Sequence, residues 1–159
     1  MTKIIPLTQG KVAIVDDADF EWLNQWKWNF NGRYVCRSVG PFLHRTKIRI
    51  HRQIMSAPAD MQVDHINGNP LDNRRENLRI CTPAQNTCNR KAVVNSKSGY
   101  KGVTKKNSSR KWIPEIRKDG KKLYLGSYDT PEEAAKAYDK AAKEIFGEFA
   151  KLNFPDKDP

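Results

Sequence analysis

Long apolar runs are missing from this chain. No stretch approaches the roughly 18 consecutive apolar residues that a membrane helix requires, so no membrane partner is expected. The apolar part of Met1–Leu7 is too short for a signal peptide. Cysteine is scarce: Cys36, Cys81 and Cys88 form no C-x-x-C pair, and an odd number argues against a disulfide framework. A reduced, cytoplasmic protein fits that usage. Internal repeats are absent beyond two similar Thr-Pro helix starts. Hydrophobic residues reach only 38% of the 159, against 30% charged, so any core must be compact. Disorder is not implied, because four Trp, five Tyr and six Phe supply large apolar anchors.

Acidic residues are too few to balance the basic ones. There are 29 Lys and Arg against 18 Asp and Glu, a net charge of +11, which suggests a polyanionic partner without specifying one. The surplus is uneven. Lys97 to Lys122 holds ten basic residues and only Glu115 and Asp119 as acids, whereas Asp129 to Glu148 carries three Lys and six acids. A short basic stretch of this kind is what a nucleic-acid contact surface requires, although a solvated lysine face has the same composition.

Along the chain, residues 11–15 read as a strand and 17–25 as a short helix. Strands at 27–30 and 33–39 flank Asn31-Gly32, a pair that favours a tight hairpin turn. Residues 47–50 add a strand. Trp22, Trp26 and Trp28 are expected in the core of this part. A short helix over 51–56 ends at Ala57-Pro58. Residues 62–65 are extended, a turn-rich loop follows, and 78–81 return as a strand. Thr82-Pro83-Ala84-Gln85 is a helix start, with Thr82 as cap, Pro83 in the first turn and Gln85 completing a capping box. Beyond a polar linker come strands near 100–105, 111–118 and 121–126, the last two joined at Asp119-Gly120. A helix then starts at Thr130-Pro131-Glu132-Glu133 and ends at Gly147. Its alanine-rich face would lie close against a sheet.

The residues with chemistry in the middle are Asp64, His65, Asn77 and Asn86. Asp64 and His65 are neighbours on a strand, so their side chains diverge unless a twist or bulge intervenes. Packing the following helix on the hairpin brings Asn86 near Asp64. A carboxylate and an amide oxygen are hard donors that suit Mg²⁺ or Mn²⁺. A histidine with a pKa of about 6.5 can take a proton from water at neutral pH. Arg74, Arg75, Arg79 and Arg90 offer guanidinium forks for phosphate oxygens. His51 has two readings, a phosphate contact or ordinary packing.

The text H-R-Q-I-M, then V-D-H-I-N-G-N-P-L-D-N-R-R-E-N-L-R, then T-P-A-Q-N closely resembles the HNH endonuclease family. The likeness is to the Asn-terminated variant of phage and intron-encoded homing endonucleases. It implies a ββα-metal module with His65 as general base, Asp64 and Asn86 as metal ligands for Mg²⁺ or Mn²⁺, and Asn77 bracing the loop that orients His65. The implied reaction is phosphodiester hydrolysis leaving a 5′ phosphate and a 3′ hydroxyl, in a bacterial or phage-infected host cytoplasm. Residues 99–154 contain S-G-Y-K-G-V, K-W-I-P-E-I-R, Y-L-G-S-Y-D-T-P-E-E-A-A-K-A-Y-D-K-A-A and N-F-P. They resemble the plant-type Apetala/ethylene-response-factor DNA-binding domain, which implies a three-stranded sheet entering the major groove. By position its DNA-facing set is Lys101, Thr104, Lys106, Glu115, Arg117, Lys122 and Tyr124. Independently of that likeness, strand alternation puts Trp112, Pro114 and Ile116 on one face and Ile113, Glu115 and Arg117 on the other. Leu123 and Leu125 are expected towards the helix.

The expected fold is therefore α+β, with a β-rich module (1–48), an HNH nuclease module (49–91), a linker (92–98) and a DNA-binding domain (99–154). The expected partner is double-stranded DNA, with a monomer and a homodimer both open. The alternative is a non-catalytic, sequence-specific DNA-binding regulator that uses the C-terminal sheet. An RNA-directed nuclease fits less well, because the outward sheet lacks a row of aromatics for stacking single-stranded bases.

Overall fold

The computed structural model describes residues 1–89, 97–106 and 110–155. Helices and antiparallel sheets occupy separate stretches of chain, which is the α+β class. Two compact units are present, Met1–Asn86 and Thr87–Pro159.

In the first unit, β1 (Thr2–Pro6) pairs antiparallel with β2 (Val12–Asp16). α1 (Asp17–Leu23) follows directly and buries Leu23. A second sheet has the order β3 (Asn29–Phe30), β4 (Val35–Val39), β5 (Thr46–Arg49). The Asn31-Gly32 turn between β3 and β4 forms as its residue types dictate. Asn31 Oδ1 accepts from the backbone N–H of Arg33 (3.0 Å) and Tyr34 (2.8 Å), and Gly32 takes a φ of 87°. α2 (Ile50–Ile54) leads to the hairpin β6 (Gln62–His65) and β7 (Leu78–Cys81). The six-residue α3 (Pro83–Cys88) comes next. Its capping box is closed: Gln85 N–H donates to Thr82 Oγ1 (3.2 Å) and Thr82 N–H to Gln85 Oε1 (2.8 Å).

The β-rich module (1–48) and the HNH module (49–91), expected as separate modules, contribute to one apolar core. Ile5, Val15, Leu23, Trp28 and Val35 pack with Ile50, Ile54, Val63 and Leu78. Trp28 is buried, and Trp26 meets both Trp22 and Trp28 edge-on at 6.2 and 6.4 Å. Trp28 is core, and Trp22 and Trp26 are partly buried against it.

The second unit is a sheet of order β10 (Lys121–Tyr124), β9 (Trp112–Lys118), β8 (Val103–Lys105) packed on α4 (Pro131–Phe146). Thr130 and Glu133 close a capping box at the helix start, a device worth about 1 kcal/mol. Ala134, Ala135, Tyr138 and Ala142 are buried against the sheet. Pro114 and Ile116 are also buried, and Trp112 packs beside Val103, Ala134 and Ala135. Leu125 joins the core, but Leu123 stays 40% exposed. It sits on edge strand β10, which no further strand covers. The linker residues 92–96 and Arg90 lie outside the described residues.

Candidate active site and nucleic-acid interface

Asp64 and His65 end β6, and both are buried, at 7% and 6% exposure. Register places Asp64 directly opposite Arg79 and His65 opposite Leu78. Opposite charges facing each other across a hairpin attract. Here Arg79 Nε and Nη2 both donate to Asp64 Oδ2, at 3.1 and 2.8 Å. Arg79 is thus held by Asp64, in a pair shielded from water on both sides.

The loop from Ile66 to Asn77 is tied internally by its amides. Asn77 Nδ2 donates to the Asp72 carbonyl (2.8 Å) and to Asn67 Oδ1 (3.1 Å), and its Oδ1 accepts from Asn67 N–H (3.0 Å). The N-terminal segment holds the same loop from outside. Ile14 N–H donates to the Leu71 carbonyl and Asn73 N–H to the Ile14 carbonyl, both at 2.8 Å. Arg75 spans the gap with its guanidinium on Asp19 (2.8 Å) and its backbone N–H on Asp16 (2.8 Å). Arg74 is bound by Asp72 and Glu76, and its guanidinium holds the Asp72 carboxyl below the usual range. Three of the arginines picked out for phosphate are therefore occupied by carboxylates of their own chain.

Asn73 went unnoticed in the sequence. It is 1% exposed, and its Oδ1 lies 3.2 Å from His65 Nε2 while its Nδ2 donates to the Pro70 carbonyl (3.2 Å). An amide oxygen only accepts, so Nε2 carries the proton and Nδ1 is the basic nitrogen of the neutral ring. Burial lowers the His65 pKa from its ordinary value, so this neutral form is the one present near pH 7. The His51 ring lies edge-on to His65 at 5.0 Å and against Tyr34 at 5.1 Å. His51 is 2% exposed and its Nδ1 has no hydrogen-bond partner among the described residues. Burial, with His65 and two arginines nearby, pushes its pKa down to about 3. His51 is thus a buried wall beside His65 that is neutral near pH 7.

Asn86 lies on α3, where its Nδ2 donates to Gln62 Oε1 at 2.5 Å, leaving its Oδ1 as the acceptor of the amide. Among the described residues, no group of three or more His, Cys, Asp or Glu is gathered at one point. Gln62 and Asp64 alternate onto one side of β6, so the Asp64 carboxylate and the Asn86 amide oxygen are hard oxygen donors on that same side. Hard oxygen donors of this kind fit a divalent cation that keeps most of its water, and not a tightly caged Zn²⁺.

The family profile described as HNH endonuclease matches residues 56–88, the stretch holding this hairpin, loop and helix. An uncharacterized HNH endonuclease of Acanthamoeba polyphaga mimivirus is 33% identical over 152 residues, covering 91% of this chain and 76% of that protein. The chain belongs to the HNH endonuclease family. Protein 3.8 of Escherichia phage T7 is 32% identical over 109 residues, covering 65% of this chain and 89% of its own length. This family member also carries an AP2 domain, matched over residues 98–148. There it is similar to an ethylene-responsive transcription factor of Arabidopsis thaliana, 50% identical over 64 residues, which is 39% of this chain and 34% of that protein.

On the AP2 sheet, register puts Thr104, Ile113, Glu115, Arg117, Lys122 and Tyr124 on one face, with Lys122 opposite Arg117 and Tyr124 opposite Glu115. Thr104, Lys106, Arg117, Lys122 and Tyr124 are exposed. Lys122 Nζ pairs with Glu115 at 3.0 Å. Lys101 is different. Its Nζ donates to the Cys88 carbonyl, it is only partly exposed, and burial lowers its pKa. Cys81 is a buried thiol whose pKa burial raises, a packing residue.

Proposed function

We propose that the chain is a divalent-metal-dependent DNA endonuclease that hydrolyses a phosphodiester bond, with the AP2 domain positioning it on duplex DNA. The observation that carries this reading is the His65–Asn73 hydrogen bond. It fixes a buried neutral imidazole with Nδ1 as its basic nitrogen, one residue from a carboxylate. In this reading Nδ1 of His65 takes a proton from the attacking water, and Asn73 holds the ring in the tautomer that can do so. Asn77 keeps the loop closed so that Asn73 stays in place. Asp64 and Asn86 would hold Mg²⁺ or Mn²⁺, which when bound supplies positive charge to the scissile phosphate and to the departing 3′ oxygen. Holding the cation would draw the Asp64 carboxylate partly away from Arg79, whose guanidinium would then be available to a phosphate. The products are a 5′ phosphate and a 3′ hydroxyl.

The AP2 sheet supports the DNA half of the proposal. Arg117, Lys122, Tyr124 and Thr104 form one outward face on a rigid three-stranded platform. Lysine at 122 lacks the bidentate fork of arginine, so its base preference is broader.

The test is cleavage of supercoiled plasmid and of a random duplex library, with and without Mg²⁺ or Mn²⁺. His65→Ala should remove about 10²- to 10⁴-fold of the rate while the protein stays folded and bound to DNA. Wild-type protein that binds duplex DNA yet cuts none under any divalent cation would leave the regulator reading in its place.

A further inference from the structure

The N-terminal sheet carries cations that no carboxylate among the described residues neutralises. Between Glu21 and Asp60 the sequence holds seven Lys or Arg and no acid. Two of them are committed to structure. Arg52 donates to the carbonyls of Ala57, Pro58 and Met61, and Arg37 lies over Trp26 at 4.0 Å on the core side of β4. Arg33, Lys47 and Arg49 are exposed, and among the described residues none of them pairs with a carboxylate. This is the reverse of Arg74, Arg75 and Arg79, each bound to an acid of the same unit.

Lys47 and Arg49 share one side of the sheet, and Arg33 reaches it from the turn before β4 through the Tyr34 ring. Ser38 faces Lys47 and Cys36 faces Arg49 in the β4–β5 register, and alternation puts Tyr34 on the same side. Arg33 and Arg49 flank the Tyr34 ring, at 5.2 and 5.0 Å. Tyr34 then touches His51 (5.1 Å), and His51 touches His65 (5.0 Å). The Arg49 guanidinium is three steps of about 5 Å from the His65 ring. That is at most about 15 Å, or some four base steps at ~3.4 Å each.

We infer that this face (Arg33, Ser38, Lys47 and Arg49, with Tyr34 beneath) is a second DNA-backbone interface. It holds the phosphates next to the scissile bond and is separate from the AP2 sheet. The placement rests on His65 being the cutting residue; the affinity does not. Two observations select the partner: unpaired cations on an exposed strand pair, which match a polyanion, and unbroken contact from those cations to the candidate base. The charge belongs to phosphates, because the exposed part of the face is cations and the Ser38 hydroxyl, and its one amide, Asn29, is half-buried with its Oδ1 accepting from Cys36 Sγ at 3.2 Å. The face therefore adds affinity and register without sequence preference, and the AP2 sheet reads the sequence.

The full-length chain tests this. Duplex affinity is measured against salt for wild type, for Arg33→Ala/Lys47→Ala/Arg49→Ala, and for Arg117→Ala/Lys122→Ala on the AP2 sheet. Each lost phosphate contact should lower the slope of log K against log salt by about 0.9. The triple variant should lose about three from the slope, raise KM for cleavage, keep kcat within a factor of a few, and cut the same sequence. The AP2 variant should instead change which sequences are cut. Thermal melting checks folding, and if the triple variant melts early, Lys47→Glu alone should lower the slope by one or more. An unchanged slope and KM in a folded variant overturns the interface. If wild type cuts nothing, KM drops out and the slope alone decides. A fallen slope without cleavage keeps the interface and removes the nuclease reading.

Discussion

Acid should weaken the first unit through one side chain, His51. The imidazole is 2% exposed, its Nδ1 has no partner among the described residues, and its neighbours are His65, Arg49 and Arg52, which disfavour a proton there. The folded pKa falls to about 3 from an ordinary 6.5. The folded form thus resists protonation below pH 6.5, while the unfolded chain accepts a proton there. Between those values unfolding takes up a proton, so the His51 contribution is fully present above pH 6.5 and is lost as pH falls towards 3. The loss is about 1.4 kcal/mol per pH unit in the middle of that window, or about 2 kcal/mol between pH 7.5 and pH 5. His65, shifted the same way by burial, adds to it. Urea unfolding followed by tryptophan fluorescence reports mainly on this unit, since three of the four tryptophans, Trp22, Trp26 and Trp28, pack in or against its core. Wild type and His51→Gln are compared at both pH values. The variant, whatever its stability at pH 7.5, should lose about 2 kcal/mol less on acidification. Equal losses in the two proteins would mean that His51 titrates alike in both states, and the neutral-wall account would fall.

Asn73→Ala should leave His65 Nε2–H without its acceptor, which costs about 1–3 kcal/mol, or roughly 5- to 150-fold in kcat with KM little changed. Asn73→Asp should instead hold the ring and raise the His65 pKa, moving the acid limb of the rate profile to higher pH; coincident profiles for wild type and Asn73→Asp would remove Asn73 from the site. Gly102→Ala should destabilise the second unit by about 2–5 kcal/mol. Its φ is +72° and an added Cβ would sit 2.1 Å from the Tyr138 ring, which combines a left-handed backbone with overpacking. Calorimetry on the full chain should show that transition alone shifted, and an unmoved melting temperature would refute the close approach of helix and strand.

Local structure was legible in the sequence wherever a residue type acts on its own neighbours. Asn31-Gly32 makes its turn, Thr82 and Thr130 close their capping boxes, and the 112–118 strand alternates as its apolar spacing requires. The exposed face of the AP2 sheet follows from the same alternation, Leu123 excepted, because burial at an edge strand depends on what lies beside it. Asp64, His65, Asn77 and Asn86 stood out as types whose chemistry needs no partner to be named. Their partners did not. Asn73 reaches His65 only because the 66–77 loop folds back, and that loop is pinned by Ile14, Asp16 and Asp19, more than fifty residues away in sequence.

The sequence by itself determined the elements, the caps and the chemical types available for catalysis, because helix, strand and turn chemistry is settled within a few residues. It also located the basic stretch at Lys97–Lys122. Which arginines keep their charge for a partner was decided only by tertiary structure. Arg74, Arg75 and Arg79 spend theirs on Asp72, Asp19 and Asp64, while Arg33, Lys47 and Arg49 meet no acid among the described residues. A count of charges along a chain cannot separate the two groups, since neutralisation acts over a few ångströms in space, whatever the separation in sequence.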